Sequence, residues 1–124
     1  MESVILLGHG SRRIEANNIL KSIVKIIKPR FKEVSVEYAF LELAEPNIRN
    51  IIEKAAADNC DAIYVIPYFL YSGNHVLRDI PEIISEYKAK YPHINIKLGD
   101  YLGIDDRLAQ LVMERIEAIK APAV

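Results

Sequence analysis

Residues 3–12, SVILLGHGSR, set the interpretation of the whole chain. Residues 4–7 form a continuous apolar run, which is typical of a β-strand covered on both faces. The run passes directly into Gly8, His9, Gly10 and Ser11. An ionisable imidazole is therefore expected at the end of a buried strand, where flanking glycines leave the backbone open around it.

Strand-like and helix-like patterns alternate outward from this segment to the other end of the chain. Strand patterns cover residues 3–8, 33–41, 61–70 and 94–102, and apolar residues at helical spacing follow at 19–27, 48–56, 80–87 and 108–119. The order βαβαβαβα predicts an α/β fold, a single three-layer domain with a four-stranded parallel sheet. A strand order of 2-1-3-4 would be the flavodoxin-like arrangement. Residues 1–119 are expected to form this domain, and residues 120–124 a disordered tail.

Three local signals refine the element ends. Pro67 is expected to end the third strand, because proline cannot donate to the ladder. Pro81 disfavours helical geometry at Ile80, so the third helix is predicted to start near that residue, with residues 74–79 in a loop or a loose first turn. Asp105 is a candidate N-cap for the last helix.

Composition excludes several functional classes. The chain has 124 residues, a formal net charge of -1 and one cysteine, Cys60. One cysteine excludes an intrachain disulfide framework and a cysteine-cluster metal site, and its expected place is the interior. The near-zero charge gives no basic field for nucleic acid. No apolar window approaches the ~18 residues of a membrane span, so we expect no membrane partner and a cytoplasmic location.

Two histidines follow strands that this strand order makes neighbours. His9 follows strand 1 and His75 follows strand 3. Ligands in open α/β sheets bind beyond the carboxyl ends of the strands where the strand order reverses, so both imidazoles could face one cleft. Imidazole is the commonest protein ligand for transition metals and a base near neutral pH. The alternative is that each is a hydrogen-bonded loop residue. His93 has no such placement and is expected to lie in a solvent-exposed loop.

Two further loops approach the same edge of the sheet. The loop after strand 3 carries Tyr68, Phe69, Leu70 and Tyr71, and apolar walls with a few polar groups are typical of a small-molecule pocket. Some of these side chains are expected to finish the core instead. The loop after strand 2 carries Glu42 and Glu45, and the sequence does not decide which of them takes part.

Three motifs together resemble the small, single-domain CbiX family of class II chelatases. They are LLGHGSR at residues 6–12, FLELAEP at 40–46 and PYFLYSGNHVLRDIP at 67–81, and the resemblance covers nearly the whole chain in order. It implies that this chain corresponds to one of the two α/β units that larger class II chelatases carry in a single chain.

The resemblance also implies roles for individual residues. The family's histidine in the GHGS motif matches His9, as metal ligand and proton acceptor, and its second metal histidine matches His75. Substrate contacts match Glu45 and six consecutive residues of the loop after strand 3: Leu70, Tyr71, Ser72, Gly73, Asn74 and His75. Ser72 and Asn74 depart from the family's commoner small residues, which leaves the metal histidine intact.

The implied activity is that of a sirohydrochlorin cobaltochelatase, a lyase that inserts Co²⁺ into sirohydrochlorin in cobalamin biosynthesis. Ni²⁺ or Fe²⁺ is the alternative, for a nickel tetrapyrrole or for siroheme, because affinity follows the metal series more than the protein. The resemblance implies no permanently bound cofactor, and a homodimer that encloses the large tetrapyrrole.

Two alternatives from other classes stay open at this point. One is a non-catalytic, flavodoxin-like domain that binds a small molecule. The other is a phosphatase or mutase with a phosphorylated histidine, but such a site needs an arginine beside the histidine, and here Gly8 stands there.

Overall fold

The computed structural model of the chain describes residues 1–71 and 73–122, and the side chains of residues 74–77 lie outside that description. Strands and helices alternate in the predicted order. The strands are β1 (Glu2–Gly8), β2 (Val34–Phe40), β3 (Ala62–Pro67) and β4 (Asn95–Leu98). The helices are α1 (Ile14–Ile27), extended by a 3₁₀ turn (Lys28–Arg30), α2 (Ile48–Ala57), α3 (Asn74–Lys90) and α4 (Asp106–Lys120).

The four strands form one parallel sheet in the order β2-β1-β3-β4, as predicted. Val4 pairs with Val36, and Leu6 pairs with Tyr38 on one side and Ile66 on the other. Because β1 and β3 are neighbours, the loops that follow them emerge side by side at the carboxyl edge, where the strand order reverses.

The two faces of the sheet are covered unequally. Helices α2 and α3 pack on one face over a large core that includes Ile5, Leu7, Ile52, Ile63 and Val65. On the other face a smaller cluster joins α1 to the β1–β2 half of the sheet, through Leu6, Leu20, Val24, Val36 and Phe40. The sheet therefore lies between two helical layers, and α1 makes one of them.

Helix α4 forms where the sequence predicts it, but its apolar side does not join the core. Every residue of α4 except Leu108 is exposed. Asp105 caps the helix as predicted, since its side chain accepts a hydrogen bond of 2.8 Å from the Arg107 N–H. Across the parts of the chain described, no helix combines the length and apolar character needed to cross a membrane.

The predicted start of the third helix is wrong. Helix α3 begins at Asn74 and carries Pro81 in its interior, so residues 74–79 are helical. An interior proline costs about 3 kcal/mol, while full burial of one large apolar side chain contributes roughly 1.5–3 kcal/mol. Ile80 and Ile84 are both buried, and packing of this helix outweighs the local penalty.

The other local expectations are confirmed or stay predictions. Strand β3 ends at Pro67. Cys60, just before β3, is buried, and burial raises the pKa of its thiol. His93 is exposed in the connection between α3 and β4. Lys120 is the last residue of α4. Residues 123 and 124 lie outside the description, so the disordered tail stays a prediction.

Candidate active site at the carboxyl edge of the sheet

The loops after β1 and β2 are joined by backbone hydrogen bonds beyond the ends of their strands. The Leu41 N–H donates to the Gly8 carbonyl at 3.0 Å, and the Glu42 N–H donates to the His9 carbonyl at 3.1 Å. These bonds tie the two loops together just past the regular sheet. They hold His9 and Glu42 next to each other.

Gly10 permits this close approach. Its φ is +100°, and a Cβ built there would lie 1.7 Å from the Glu42 carbonyl oxygen. Any other residue would have to push the two loops apart, because backbone atoms cannot yield as a flexible side chain does. Sequence reasoning expected the glycines to leave the backbone open around His9. In the structure Gly10 instead allows the backbone to lie against the neighbouring loop.

Glu42 is the carboxylate that lies beside His9. Its Oε1 atom is 3.5 Å from His9 Nε2, and the two side chains are 54% and 48% exposed. A carboxylate at this distance can orient the imidazole and can share a cation with it. Glu45, at the other end of the loop, is exposed and is absent from the described lining of both cavities around His9.

An acidic cavity opens on the α2–α3 side of His9. It has a volume of about 240 Å³. Its wall carries four carboxylates and one arginine, and the described lining residues are His9, Leu41, Glu42, Arg49, Asp79, Glu82, Ile83 and Glu86. Arg49 donates a hydrogen bond to Glu86, which raises the pKa of the arginine. Arg49 is paired with Glu86, while Glu42 and Glu82 add negative charge to the wall, and this field suits a cation.

Sequence reasoning missed the acidic wall. Asp79, Glu82 and Glu86 lie on α3 at intervals of three and four residues, which places them on one side of a helix. The wrong start predicted for the third helix hid this pattern, because Asp79 was expected before the regular helix, in a loop or a loose first turn. Residue 75 is one turn before Asp79, in the first turn of α3. The His75 side chain lies outside the description, so its role as a metal ligand stays a prediction.

A second cavity, of about 300 Å³, opens on the α1 side of His9 and is apolar. Most of its wall comes from α1 and from the residues that follow β1 and β3. Its described lining residues are Gly8, His9, Gly10, Ser11, Ala16, Asn17, Ile19, Leu20, Phe40, Tyr68 and Phe69. His9 thus stands between an acidic cavity and an apolar one.

Asn17 fixes the segment between His9 and α1, and sequence reasoning missed it. Its Oδ1 accepts a hydrogen bond of 3.0 Å from the Ser11 N–H, and its Nδ2 donates one of 2.8 Å to the Ser11 carbonyl. This reciprocal pair ties the loop to the first turns of α1. An asparagine within a helical pattern carries no signal for such a role, because it is equally common on exposed helix surfaces.

The loop after β3 presents the remaining predicted contact residues. Leu70 is 56% exposed and Tyr71 is 83% exposed. Gly73 is the N-cap of α3, and a Cβ added there would meet nothing within 4 Å. Ser72 and the side chain of Asn74 lie outside the description. The assignment of these residues to substrate stays a prediction.

The described donors do not form a closed metal site. Among the side chains included in the structure, no group of three His, Cys, Asp or Glu residues is arranged to hold a metal ion. His9 and Glu42 are a pair of donors with an open side. An open site of this kind suits transient coordination better than a structural ion.

Comparisons with known proteins agree with this architecture. The CbiX family model matches residues 3–119. A sirohydrochlorin cobaltochelatase of Sulfurisphaera tokodaii is 31% identical over 119 residues, covering 96% of this chain and 94% of that protein. A sirohydrochlorin ferrochelatase of Bacillus subtilis is 31% identical over 121 residues, covering 98% of this chain and 46% of that protein.

A solved structure shares the fold over most of this chain. It is the sirohydrochlorin chelatase SirB from Bacillus subtilis subspecies spizizenii in complex with cobalt, with a TM-score of 0.86 and 31% identity. The match covers 95% of this chain and 50% of that one. The GHG loop, the parallel sheet and the family match over residues 3–119 together lead to one conclusion: the chain belongs to the CbiX family.

Proposed function

We propose that this protein is a sirohydrochlorin chelatase, which inserts a divalent metal ion into the sirohydrochlorin macrocycle. Membership of the CbiX family and relatives named as sirohydrochlorin chelatases support the substrate. The observation that carries the proposal is the position of His9, with Glu42 beside it, between an acidic cavity and an apolar one.

Metal insertion replaces two pyrrole N–H protons with one divalent cation. In the proposed reaction His9 and Glu42 first hold the incoming ion, with His75 as a third donor from the first turn of α3. As ring nitrogens replace the protein donors, His9 accepts one pyrrole proton and the second passes to solvent water. General acid–base assistance of this kind is typically worth 10²–10⁴-fold in rate.

The apolar cavity is proposed to receive the macrocycle. Its wall of aliphatic and aromatic side chains complements the broad apolar face of a tetrapyrrole. We place the contacts at the edge of the ring on Leu70, Tyr71, Ser72, Gly73 and Asn74. Glu45 is retained as a further contact on the strength of the family resemblance.

We propose Co²⁺ as the metal substrate, so that the enzyme is a cobaltochelatase of the lyase class in cobalamin biosynthesis. The Sulfurisphaera relative, which matches along nearly its full length, is named a cobaltochelatase. The Bacillus subtilis relative is named a ferrochelatase, which makes Fe²⁺ the first alternative, followed by Ni²⁺.

We further propose that the protein is cytoplasmic and works as a homodimer. The solved cobalt complex is matched over 50% of its chain, so a second copy of the present chain would supply a comparable length.

The test is metal insertion by the purified protein. Sirohydrochlorin is incubated anaerobically with Co²⁺, Fe²⁺ or Ni²⁺, and the absorption change is followed with and without protein. We expect the largest acceleration over the spontaneous reaction with Co²⁺. A larger acceleration with Fe²⁺ or Ni²⁺ would overturn the choice of metal. No acceleration with any of the three would overturn the chelatase proposal itself.

A further inference from the structure

Among the described residues that line the acidic cavity, Arg49 is the one arginine or lysine. Its guanidinium donates a hydrogen bond to the carboxylate of Glu86 on α3, and the two side chains are 45% and 56% exposed. Ion pairs with this much exposure contribute little to the stability of a fold. Stability alone therefore gives little reason for an arginine in this wall.

The start of α2 places Arg49 next to the loop that carries Glu42. Asn47 caps this helix, because its Oδ1 accepts a hydrogen bond of 2.9 Å from the Arg49 N–H. The Nδ2 of the same asparagine donates to the Leu41 carbonyl at 3.3 Å. The backbone of Arg49 is thus tied to the residue before Glu42, which is the carboxylate beside His9.

The first turn of a helix is an unfavourable place for a cation. The helix dipole gives the amino end a partial positive charge, so acidic side chains are favoured there and basic ones are not. The first turn of α2 contains no acidic residue and has Arg49 at its second position. Local helix chemistry therefore opposes this arginine, and the contacts of its side chain hold it in place.

The Arg49 side chain is held in the cavity wall by two groups of α3. Besides the pairing with Glu86, its guanidinium carbon lies 5.9 Å from the centre of the Tyr87 ring. Tyr87 is buried, and its hydroxyl donates a hydrogen bond of 3.0 Å to Glu53 on α2. Lys90 donates to the same carboxylate at 3.3 Å, one turn further along α3 than Glu86. Several contacts between α2 and α3 therefore set the position of the guanidinium.

We propose that Arg49 limits how tightly the acidic cavity holds a divalent cation. Its pairing with Glu86 offsets one carboxylate charge, while the remaining acidic wall still attracts the ion. A chelatase has to release its ion to the macrocycle, and one more uncompensated carboxylate would slow that release. Arg49 acts through Glu86 rather than as a ligand of the ion, so it is not a catalytic residue. The inference rests on the metal insertion proposed above and assigns a residue that regulates the same site.

The first experiment measures Co²⁺ binding to the purified full chain by isothermal titration calorimetry, without the macrocycle. Arg49→Gln removes the positive charge and leaves the Glu86 carboxylate uncompensated, so we expect the Kd for Co²⁺ to fall about threefold or more. Lys54→Gln is the matched control, because it removes one positive charge from the same helix outside the described lining of the acidic cavity. It should change the Kd less than twofold.

A double variant tests whether Arg49 acts through Glu86. Arg49→Gln combined with Glu86→Gln restores the net charge of the wall, and we expect the Kd to return to within twofold of the wild-type value. A second substitution at the same contact would not repair a packing defect, so this result separates charge from structure. Because the effect is electrostatic, the difference in Kd between the wild type and Arg49→Gln should also shrink between about 0.03 M and about 0.3 M NaCl.

The second experiment follows the transfer of the ion to the ring. Each protein is loaded with Co²⁺ and mixed rapidly with excess sirohydrochlorin, and the absorption change gives a single-turnover rate. We expect this rate to fall about threefold or more with Arg49→Gln, because a more tightly held ion leaves more slowly. Lys54→Gln should transfer its ion at the wild-type rate.

Three results would overturn the role of Arg49. The first is a Kd for Co²⁺ that is unchanged or higher in Arg49→Gln, or that falls equally in Lys54→Gln. The second is a double variant that binds Co²⁺ as tightly as Arg49→Gln does, since Glu86 would then not be the group through which the arginine acts. The third is a transfer rate that Arg49→Gln leaves unchanged or limits only through a higher KM for sirohydrochlorin, which would assign Arg49 to a carboxylate of the macrocycle.

The two experiments keep this inference separate from the proposed function. Metal insertion by a wild type whose Kd does not depend on Arg49 would leave the chelatase proposal intact and overturn the inference alone. A lower Kd in Arg49→Gln, reversed in the double variant, would support the effect of Arg49 on cation binding even if no protein inserted the metal. The absence of insertion would then overturn the chelatase proposal.

Discussion

The two cavities that meet at His9 differ in nearly every physical respect. The one on the α2–α3 side carries Glu42, Asp79, Glu82 and Glu86. The one on the α1 side is walled mainly by aliphatic and aromatic groups. A hydrated cation is favoured by the first and a flat apolar ring by the second. In the proposed reaction each substrate takes one of these cavities, and the imidazole of His9 is where the two come together.

The largest expected effect is at the residue that both cavities share. His9→Ala removes a metal donor and the proposed proton acceptor together, so kcat for metal insertion should fall by about 10²–10⁴-fold. The absorption assay with sirohydrochlorin measures it. His93→Ala is the matched control, because His93 is exposed in the connection between α3 and β4. Equal turnover of the His9→Ala and His93→Ala variants would show that the metal ion and the macrocycle do not meet at His9.

Gly10→Ala tests the backbone contact that holds the two sides together. The added Cβ would meet the Glu42 carbonyl, and φ at this residue is in the left-handed region. We expect the free energy of unfolding to fall by about 2–3 kcal/mol, measured by urea denaturation. Gly73→Ala, whose methyl meets nothing within 4 Å, should cost less than about 1 kcal/mol. Similar losses for the two variants would contradict the tight approach.

Glu42→Gln tests the role of the carboxylate on the acidic side of His9. The substitution keeps the shape of the side chain and removes the charge next to His9 Nε2. We expect kcat to fall at least tenfold at saturating sirohydrochlorin, since the ion loses a ligand that the imidazole cannot replace. Glu45→Gln should change kcat less than twofold under the same conditions and act on the KM for sirohydrochlorin instead. A reversal of these two results would assign the metal-side role to Glu45.

The smallest expected effects are on KM, and each variant should change the KM of the one substrate that its cavity is proposed to receive. Glu82→Gln weakens the acidic wall and is expected to raise the KM for the metal ion a few-fold, with the KM for sirohydrochlorin unchanged. Ala16→Glu adds a charge to the apolar wall and is expected to raise the KM for the carboxylate-rich macrocycle a few-fold, with the KM for the ion unchanged.

Ala16→Gln is the neutral counterpart of the last variant and should have the weaker effect. Steady-state kinetics with each substrate varied in turn measures all three variants. If both Glu82→Gln and Ala16→Glu alter the same KM, the two cavities do not serve separate substrates.

Proline placement and capping chemistry were enough to predict the carboxyl end of β3 and the cap of α4, because both follow from local chemistry. The sheet order was predicted from the flavodoxin-like arrangement of alternating strands and helices. Proline placement gave the wrong start for α3. Burial of Ile80 and Ile84 outweighs the local cost of Pro81 inside the helix, and this burial is not visible in the sequence. The exposure of the apolar side of α4 could not be predicted from the sequence either. A helical stripe indicates that something is covered, but it does not say whether the cover belongs to the same chain.

Within the site, the histidine after β1 was predictable because topology alone places it. The position of Glu42, rather than Glu45, beside His9 was not predictable, since it depends on two backbone hydrogen bonds between loops that are 30 or more residues apart in the chain. Asn17 was also beyond prediction. Its function comes from a contact six residues away, across a turn whose conformation the sequence does not specify.

The burial of Cys60 has a consequence for the handling of a borderline divalent cation such as Co²⁺. A thiolate would compete with imidazole for such an ion and hold it far too tightly for release to a ring. This sulfur lies just before β3, at the amino edge of the sheet, and is shielded from solvent. The full length of the strand therefore separates the proposed metal site from the chain's one thiol.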